Sequence, residues 1–592
     1  MPSLFFMEED AMQKIGIGYE NYKDFIDEKL YYVDKTLLIR DIVEKGGKVT
    51  LFTRPRRFGK TLAQSMLRTF FEEEYDRDGN MIDKRRYFEG KKIMEAGEGI
   101  LSMMGKYPVI MLSLKSAKQR DFKTAFIKLR DEIVDELRRH EYLLKSDRIS
   151  DEDIEMLRLL NQPTDLFDVR VGDDAFWSEV GRYSTSLKAI SRALEKHHGR
   201  KTIILLDEYD VPLENAWYSG FYPEMISFIR SLFESALKTN DALEWAVVTG
   251  CLRISKESIF TGLNHLVINS IRDDFFSEGF GFTQNEVTEM LRAYDLENKQ
   301  EEVQDWYNGY IFGKTEIYNP WSVIYYIYHH TENHNRLPEP YWANTSSNTI
   351  IKEMVFNADS DMQEELDRLI RGGTIEKQIH EDITYEDIHE NEDNLWNFLF
   401  FTGYMKRISE RQDGESIYVT MKIPNREIRS IYKDQIRNWF DGIVKKTDFT
   451  SFRTAILAGN TEEMGDFISD LLMKSISVFD NDESFYHGFF IPLLYGVPRY
   501  EVRSNREEGS GRPDVVLYPL RRKDPAILFE IKVRKKYNQM EDGLEEAYRQ
   551  IRDQKYEEGI LADGYAGVQS YGICFCRKDC IVGKYPGYDG TN

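Results

Sequence analysis

Short apolar runs alternate with longer amphipathic stretches over the first half of this chain, and the alternation predicts an α/β fold. The apolar runs have the length of strands and lie at residues 49–52, 107–114, 202–206, 244–248 and 266–271. Helical periodicity fills residues 119–145 and 184–197. Continuous apolar runs are typical of parallel strands buried on both faces, so we expect a parallel sheet covered by helices.

The hydrophobic pattern changes after residue 281. Residues 282–379 have mostly helical periodicity, broken by the aromatic turns WYNGY and YNPW, which we interpret as packed core. Residues 394–440 predict a helix, a two-stranded hairpin and a second helix. This order suggests a winged-helix unit, and such a unit serves either DNA binding or the docking of other protein segments.

The C-terminal region shows a third pattern. An alternating strand is predicted at residues 515–518, followed by the polar turn RRKDP and a second strand at 526–533. Helical stretches precede this pair at 483–496 and follow it at 544–556. Two strands joined by a short polar turn predict a β-hairpin, and its turn fixes which residues face each other.

Residues 48–62, KVTLFTRPRRFGKTL, join the first predicted strand to a helix through a basic loop. Strand, loop, Gly-Lys-Thr and helix form the context of a P-loop, in which Lys60 reaches the β- and γ-phosphates and Thr61 ligates Mg²⁺. Arg54 stands where the usual pattern has its first glycine, so this loop must turn by another route. A basic turn before an ordinary helix is the alternative. The nucleotide-binding candidates are Arg57, Phe58, Gly59, Lys60, Thr61 and Leu62.

The third apolar run ends in Asp207 and Glu208, which is the pattern of a Walker B strand. There Asp207 holds the Mg²⁺ shell and Glu208 polarises the attacking water. An ordinary buried strand that ends in an acidic turn has the same sequence pattern, but the P-loop upstream favours an ATPase. One predicted strand separates this strand from the P-loop strand, which fits the P-loop class in which the two are not adjacent. Thr249 is a candidate γ-phosphate sensor, and Arg253 and Arg272 are candidates for phosphate or neighbour-subunit contacts, or for ordinary ion pairs.

The predicted C-terminal hairpin aligns two carboxylates and a lysine. With its turn centred on Arg522, Asp514 lies opposite Glu530 with the Cβ atoms about 5 Å apart. Two such carboxylates repel unless a divalent cation lies between them. Lys532 shares a face with Glu530 and can help to deprotonate a metal-bound water, as metal-assisted phosphodiester hydrolysis requires. A solvated hairpin face with a cross-strand charge pair is the alternative.

Composition and charge limit the function classes. The chain has 592 residues, 41% hydrophobic and 31% charged, which predicts two to four globular domains. We find no apolar run of about 18 residues and no secretory signal, and four cysteines make no disulfide framework, so we expect a cytoplasmic protein. The net charge of −23 argues against a general nucleic-acid coat protein. Residues 499–536, however, carry 11 basic against 6 acidic side chains, so we expect DNA to bind there.

Two further groups carry weaker signals. Cys574, Cys576 and Cys580 offer three ligands, too few for a closed zinc site, so we expect buried thiols. His487 follows Glu483 by one helical turn and either assists a metal or packs as an ordinary helix residue.

Five stretches together resemble the prokaryotic AAA-ATPase-like family. They are YYVDKT at 31–36, LFTRPRRFGKT at 51–61, LLDEYD at 205–210, TGCLRISKESIFTGLNHL at 249–266 and WYNGYIFGKTEIYNPWSV at 306–323. The resemblance spans about residues 14–580 and implies a glycine-poor P-loop, in agreement with Arg54. The family often carries a C-terminal PD-(D/E)xK nuclease-like domain, a fold that also occurs in non-cutting form. That resemblance places a further acid at Glu483 and the glutamine of related nucleases at Gln550.

We therefore expect a P-loop NTPase with an AAA-like parallel sheet, a helical and winged-helix middle, and a C-terminal PD-(D/E)xK nuclease-like α/β domain. The predicted parts are a leader packed on the ATPase at 1–45, the ATPase core at 46–281, the lid and winged-helix region at 282–450, and the nuclease-like domain at 451–592.

The expected function is ATP binding and hydrolysis coupled to Mg²⁺-dependent cutting of DNA, without a membrane and with homo-oligomerisation as a candidate arrangement. Thr61, Asp207, Glu483, Asp514 and Glu530 are the metal-ligand candidates. One alternative is a signalling ATPase whose C-terminal fold is an inactive platform for binding nucleic acid or protein. The other is a non-catalytic DNA-binding regulator that uses the winged helix.

Overall fold

The computed structural model describes residues 12–76, 78–253, 259–260, 265–342, 351, 360–380, 392–473, 483–504 and 513–587. The chain divides into two compact units, Met1–Ser347 with Thr374–Ser430, and Asn348–Gly373 with Ile431–Asn592. No helix within these described ranges is both long and apolar enough to cross a bilayer.

A five-stranded parallel sheet forms the centre of the first unit. Its strands are β1 (Val49–Thr53), β2 (Val109–Ser113), β3 (Thr202–Asp207), β4 (Leu243–Gly250) and β5 (Leu266–Asn269), in the order β2-β3-β4-β1-β5. Strands β1 and β3 are buried at every position, as their continuous apolar runs predict. The predicted separation of these two strands is confirmed, and β4 is the strand that lies between them in the sheet.

Helices connect the parallel strands, which cannot be joined by short hairpins. Two helices, α1 (Tyr22–Asp27) and α2 (Leu37–Lys45), precede β1. The connecting helices are α3 (Lys60–Phe71), α4 (Glu98–Leu101), α5 (Phe122–Arg139), α6 (Asp151–Asn161), α7 (Asp174–Ser184), α8 (Ser186–His198), α9 (Val211–Ser219) and α10 (Tyr222–Phe233). The side chain of Asp121 caps the start of α5 by accepting a hydrogen bond from Thr124 N. The predicted helix at 119–145 is therefore α5 followed by a 3₁₀ turn, Glu141–Lys145.

A buried carboxylate covers the edge of the sheet at β2. Glu136 of α5 accepts a hydrogen bond from the backbone N–H of Met111 at 2.9 Å. Arg139 in turn bonds the other oxygen of Glu136 at 2.8 Å and Glu72 at 2.9 Å. One backbone donor of the outermost strand is thus occupied by a side chain of its own unit.

The region after the parallel sheet contains strands that the helical prediction for 282–379 did not include. Strands β6 (Phe282–Thr283), β7 (Tyr310–Phe312) and β8 (Thr315–Tyr318) form an antiparallel sheet in the order β6-β8-β7, among α11 (Gln284–Ala293), α12 (Gln300–Tyr307) and α13 (Pro320–Glu332). The hairpin turns at Gly313, where φ is 55°, and its strands have only three and four residues. So short a run carries too little alternation to be recognised. The aromatic turns do form packed core, since Tyr307 and Tyr318 are fully buried.

The predicted helix, hairpin and helix of residues 394–440 are confirmed. They are α15 (Glu392–Phe401), β10 (Lys406–Asp413) with β11 (Ser416–Lys422), and α16 (Arg426–Lys446). The structure adds a third strand, β9 (Ile375–Gln378), which pairs with β11. Before it, α14 (Ser360–Ile370) belongs to the second unit.

The second unit contains a five-stranded sheet in the order β12-β13-β14-β15-β16. Its elements are α17 (Thr450–Ala458), α18 (Thr461–Met473), α19 (Glu483–Leu494), β12 (Tyr500–Ser504), β13 (Val515–Pro519), β14 (Ala526–Val533), α20 (Met540–Asp553), α21 (Tyr556–Ala562), β15 (Val568–Cys576) and β16 (Asp579–Lys584). Strands β14 and β15 are parallel, and the other neighbours are antiparallel. Cys574, Cys576 and Cys580 are buried and form no disulfide bond, as expected.

Candidate functional site

The predicted P-loop lies between the carboxyl end of β1 and the start of α3. Arg57 and Gly59 have left-handed φ angles of 71° and 81°, so the loop turns at these two residues. Lys60 is the first residue of α3, and its buried Nζ donates to the carbonyl oxygens of Arg54 and Pro55, each at 3.1 Å. The lysine ammonium is therefore held inside the loop, where a phosphate would be cradled.

Arg54, which stands at the position of the missing glycine, is completely buried. Its Nη1 donates to the carbonyl oxygens of Thr53 at 3.0 Å and Asn269 at 2.9 Å, and its Nη2 donates to Asn269 Oδ1 at 2.5 Å. The guanidinium carbon lies 5.4 Å and 5.1 Å from the ring centroids of Phe280 and Phe312. This side chain ties the first residue of the loop to β5 and β7.

The two residues before Gly59 differ in what they can offer a nucleotide. Phe58 is buried, with its ring centroid 5.0 Å from that of Tyr310 and 5.2 Å from that of Phe312, so its ring packs in the core and is not free to contact a nucleotide. Arg57 is exposed, and its guanidinium lies 4.3 Å from the ring centroid of Trp321.

The structure brings Thr61, Asp207 and Thr249 together from three different elements. Asp207 Oδ2 accepts from Thr61 Oγ1 at 2.7 Å, and its Oδ1 accepts from Thr249 Oγ1 at 2.5 Å. Burial raises the pKa of Asp207, while these two hydrogen bonds oppose the rise. Glu208 follows with a left-handed φ of 51° and is half-buried, as is Leu62 next to Thr61.

The charge state of Lys60 follows from the groups around it. Burial by itself disfavours the charged form, but Cys251 and the acidic side chains of Glu208, Asp210 and Asp207 outweigh it and raise the pKa of the ammonium. Lys60 thus keeps a fixed positive charge in this site.

The two arginines that were candidates for phosphate or neighbour-subunit contacts are Arg253 and Arg272. Arg272 forms an ion pair with Glu410, with Nη2 and Oε1 2.6 Å apart, in line with the ordinary ion-pair alternative. Arg253 is described, but the following residues 254–258 lie outside the described ranges.

The C-terminal hairpin has the predicted register. Val515 pairs with Phe529, which places Asp514 level with Glu530. Asp514 Oδ2 accepts a hydrogen bond from the N–H of Ile531 at 2.7 Å. His487 lies close by, with Nε2 3.2 Å from the carbonyl oxygen of Asp514. The carboxylate, its partner strand and α19 therefore meet at one end of β14.

Glu530 and Lys532 form a buried pair. Lys532 Nζ donates to Glu530 Oε1 at 2.8 Å, and Glu530 is fully buried. Burial, and then the neighbouring Asp514 carboxylate, raise the pKa of Glu530. On α20, Gln550 Nε2 donates to the hydroxyl of Tyr556 at 3.3 Å. Helix α19 begins at Glu483, whose side chain lies outside the described part.

Comparison with known proteins divides the chain in the same way as these two groups of residues. Residues 16–260 match the family model described as Predicted AAA-ATPase, and residues 481–585 match the PD-(D/E)XK nuclease superfamily. The chain carries an AAA-ATPase-like domain and a C-terminal PD-(D/E)XK nuclease superfamily domain. A protein of Azotobacter chroococcum mcd 1, named as an uncharacterized protein in the vnfD 5′ region, is 24% identical over 348 residues. That match covers 58% of this chain and 56% of the relative.

The AAA-ATPase-like domain contains polar residues near the site that the sequence reading missed. Gln64 is fully buried on α3, and its Nε2 donates to the carbonyl oxygens of Leu206 and Val247 at 3.3 Å and 3.4 Å. Asp210 Oδ2 accepts from the N–H groups of Cys251 and Leu252 at 2.7 Å and 3.2 Å. Two signals in the sequence could have indicated these residues. Gln64 is an amide on an otherwise apolar helix face, and Asp210 is a second aspartate after the Walker B pair.

Both domains offer ligands that fit Mg²⁺, a hard cation that prefers oxygen. In the AAA-ATPase-like domain these are the adjoining oxygens of Thr61 and Asp207. In the nuclease superfamily domain, Glu530 Oε2 is buried without a hydrogen-bond partner in the described part of the chain, as an oxygen reserved for a cation would be. No group of three or more ligating side chains gathers among the described residues, which exclude the side chain of Glu483.

Proposed function

We propose that this protein is cytoplasmic, that it binds and hydrolyses ATP with Mg²⁺, and that ATP occupancy gates metal-dependent cutting of DNA by its C-terminal domain. The observation that carries the nucleotide half is the hydrogen-bonded group of Thr61, Asp207 and Thr249 beside Lys60. The observation that supports the DNA-cutting half is the alignment of Asp514 with Glu530 and Lys532.

In the nucleotide site, each residue has one task. Lys60 now donates to two carbonyl oxygens, and the charged oxygens of a triphosphate would replace them with stronger, charge-assisted bonds. Thr61 and Asp207 would hold Mg²⁺, which when bound neutralises phosphate charge. Glu208, half-exposed at the end of β3, orients the attacking water and accepts its proton.

In the C-terminal site, Asp514 and Glu530 would hold Mg²⁺, which when bound supplies positive charge and lowers the pKa of bound water. Lys532 keeps its ammonium on the same face and orients the water that attacks the phosphodiester. The hydrogen bond between Lys532 and Glu530 fixes this lysine in place.

The nucleotide half is tested by Lys60→Ala. Loss of the ammonium removes a charge-assisted phosphate contact, so we expect ATP affinity and turnover to fall by roughly 10²-fold or more. The measurements are the affinity of a fluorescent ATP analogue and steady-state phosphate release. Lys48→Ala is the matched control, because Lys48 Nζ bonds the carbonyl oxygen of Leu243 at the opposite end of β1. Unchanged affinity in Lys60→Ala contradicts the nucleotide site.

The DNA-cutting half is tested by Asp514→Ala and Lys532→Ala. Both variants are expected to lose Mg²⁺-dependent cleavage of plasmid DNA, because each removes a group that faces the reacting phosphate. Asp524→Ala, in the turn at the far end of the hairpin, serves as the control. Cleavage that persists in the first two variants shows that the activity resides elsewhere.

A second candidate function is a signalling ATPase with an inactive C-terminal platform. The complete burial of Glu530 and its pairing with Lys532 favour it, since the lysine ammonium already offsets the carboxylate charge that a metal would otherwise balance. Absence of cutting on both plasmid and linear DNA, with and without ATP, is the result that selects this function.

A further inference from the structure

Basic side chains gather where two parallel strands of the C-terminal sheet end. Strands β14 and β15 pair in register to their carboxyl ends, so the residues that follow them lie at one edge. Lys535 and Lys536 follow β14, and Arg577 and Lys578 follow β15. The first three are exposed and Lys578 is half-buried. We name these four residues the basic edge.

The basic edge is available to an anionic partner. Within the described ranges, no carboxylate forms an ion pair with any of its four residues, whereas the preceding Arg534 is paired with Glu546. Asp579 and Glu541 are the acidic residues next to it in sequence, and both are exposed. Exposed lysines keep rotational freedom and full hydration until a phosphate replaces the water.

Helix α19 holds the basic edge beside the carboxylate site. Tyr486 donates a hydrogen bond to the carbonyl oxygen of Arg577 at 2.6 Å, and its ring stacks on Phe575 with centroids 4.4 Å apart. The next residue, His487, contacts the carbonyl oxygen of Asp514. Neighbouring residues of one helix thus position both the basic turn and the carboxylate.

The spacing suits a strand of nucleic acid. Lys535 follows Lys532 by three residues, a distance of at most about 10 Å along an extended chain. A DNA strand advances about 3.4 Å per nucleotide. Because a single strand advances at least as far per nucleotide, phosphates held by Lys535 and Lys536 would lie within about three nucleotides of the phosphate at Asp514 and Glu530.

An aromatic side chain completes the surface. The ring of Tyr537 is 52% exposed, and the guanidinium carbon of Arg577 lies 5.8 Å from its centroid. An exposed aromatic ring among cations is the arrangement on which unpaired bases stack. A base pair inside a duplex has no free face for such a ring, so Tyr537 favours a single strand.

We propose that the basic edge and Tyr537 form a binding track for single-stranded DNA that leads into the Asp514–Glu530 site. This inference rests on the proposed function, because it assigns the path of the substrate. It also separates two basic clusters, since the turn with Arg521 and Lys523 joins the opposite ends of β13 and β14 and takes no part in the track.

The test measures binding without cutting. Full-length protein carrying Asp514→Asn is titrated in EDTA into a fluorescent single-stranded DNA oligonucleotide at several salt concentrations. Lys535→Ala with Lys536→Ala is expected to weaken binding about 10-fold or more and to lower the salt-dependence slope by about 1.4, or about 0.7 per lost phosphate contact. Tyr537→Leu is expected to weaken binding about 5- to 100-fold with an unchanged slope. Arg521→Ala with Lys523→Ala removes the same charge from the far turn and is expected to change neither affinity nor slope.

Each other outcome identifies what failed. Equal losses in the two double variants overturn the track and leave DNA as the partner. Tighter binding of a duplex or of an RNA strand of the same sequence overturns the single-stranded DNA assignment. No binding by the parent protein at low salt overturns the track together with DNA cutting. Thermal unfolding of every variant excludes loss of fold as the cause.

Discussion

Arg54 shows how one buried side chain replaces a glycine in a loop that is predicted to bind phosphate. The sequence predicted that the loop would need another route, but not what that route was. The reason is physical: its partner Asn269 lies 215 positions away, and Phe280 and Phe312 reach it only through the folded sheet and hairpin. Lys60, Thr61 and Asp207, in contrast, were predicted from sequence, because a P-loop and a Walker B strand each require neighbouring residue types in a fixed context.

Restoring the consensus glycine by Arg54→Gly is expected to destabilise the protein. The change empties a buried site and leaves the oxygens of Asn269 without their donor, at a cost of roughly 3 kcal/mol or more. Urea unfolding of the first unit measures this. Arg57→Gly is the matched control, because Arg57 is exposed and already has a φ that suits glycine, so we expect a change within about 1 kcal/mol. A more stable Arg54→Gly variant contradicts the anchoring role.

At the scale of elements, the ends of strands position the candidate site residues. The predicted strands of the parallel sheet were found because their apolar runs are unbroken, and the register of β13 with β14 was found because the turn is short. The hairpin of β7 and β8 was missed because its strands are too short to show a period. Gln64 and Asp210 were missed because their partners are backbone groups, and the residue types in a sequence do not show which backbone groups will be bonded.

Thr249 at the end of β4 is expected to act through Asp207. Thr249→Val keeps the shape but removes the hydroxyl that holds Asp207 Oδ1, so we expect ATP turnover to fall about 10- to 100-fold with nucleotide affinity nearly unchanged. Phosphate release and analogue binding measure the two effects. Thr50→Val in β1 is the control, since the Thr50 hydroxyl accepts from Gly47 N at the other end of the sheet. Equal losses in both variants would indicate general damage to the sheet.

The carboxyl end of α5 is expected to make stability depend on pH. Burial lowers the pKa of His140 to about 4, and its Nε2 lies 3.5 Å from Glu136 and its Nδ1 3.2 Å from the Tyr142 hydroxyl. Because the unfolded chain binds this proton more readily, the contribution of neutral His140 is fully present above about pH 6.5 and is lost as the pH falls towards about 4, by up to about 3 kcal/mol. Burial raises the pKa of the neighbouring Glu136 to about 8, and this contribution has the opposite sign.

Unfolding free energies measured between about pH 7.5 and about pH 4.5 test this expectation. His140→Asn cannot be protonated in this range, so its stability should fall less steeply than that of the native chain. Parallel curves for the two proteins would assign the acid sensitivity to other groups.

At the scale of the whole molecule, the chain folds as two compact units built from interleaved segments. Residues 348–373 join the second unit although the chain returns to the first at Thr374. Composition does not reveal such an exchange, because it depends on contacts between distant segments. Helix α16 starts in the first unit and ends in the second, so it is one covalent route between the two sites.

Two compact units predict two steps in thermal unfolding. A non-hydrolysed ATP analogue, present with Mg²⁺ at about 100 times its dissociation constant, should stabilise the first unit by about 2.7 kcal/mol. In calorimetry, one unfolding transition should then rise by several degrees while the other keeps its temperature. Lys60→Ala should abolish the shift. A common shift of both transitions would show that the units unfold as one.

The hydrogen bond from Met111 N–H to Glu136 bears on whether copies of this protein can add to one another at the edge of the parallel sheet. An uncovered outer strand is a template on which a further copy can add its own strand and begin a growing ribbon. Glu136 occupies the donor that such a copy would use first. Replacing Glu136 by an apolar residue should therefore lower the concentration at which the protein begins to aggregate, with a smaller effect on ATP turnover.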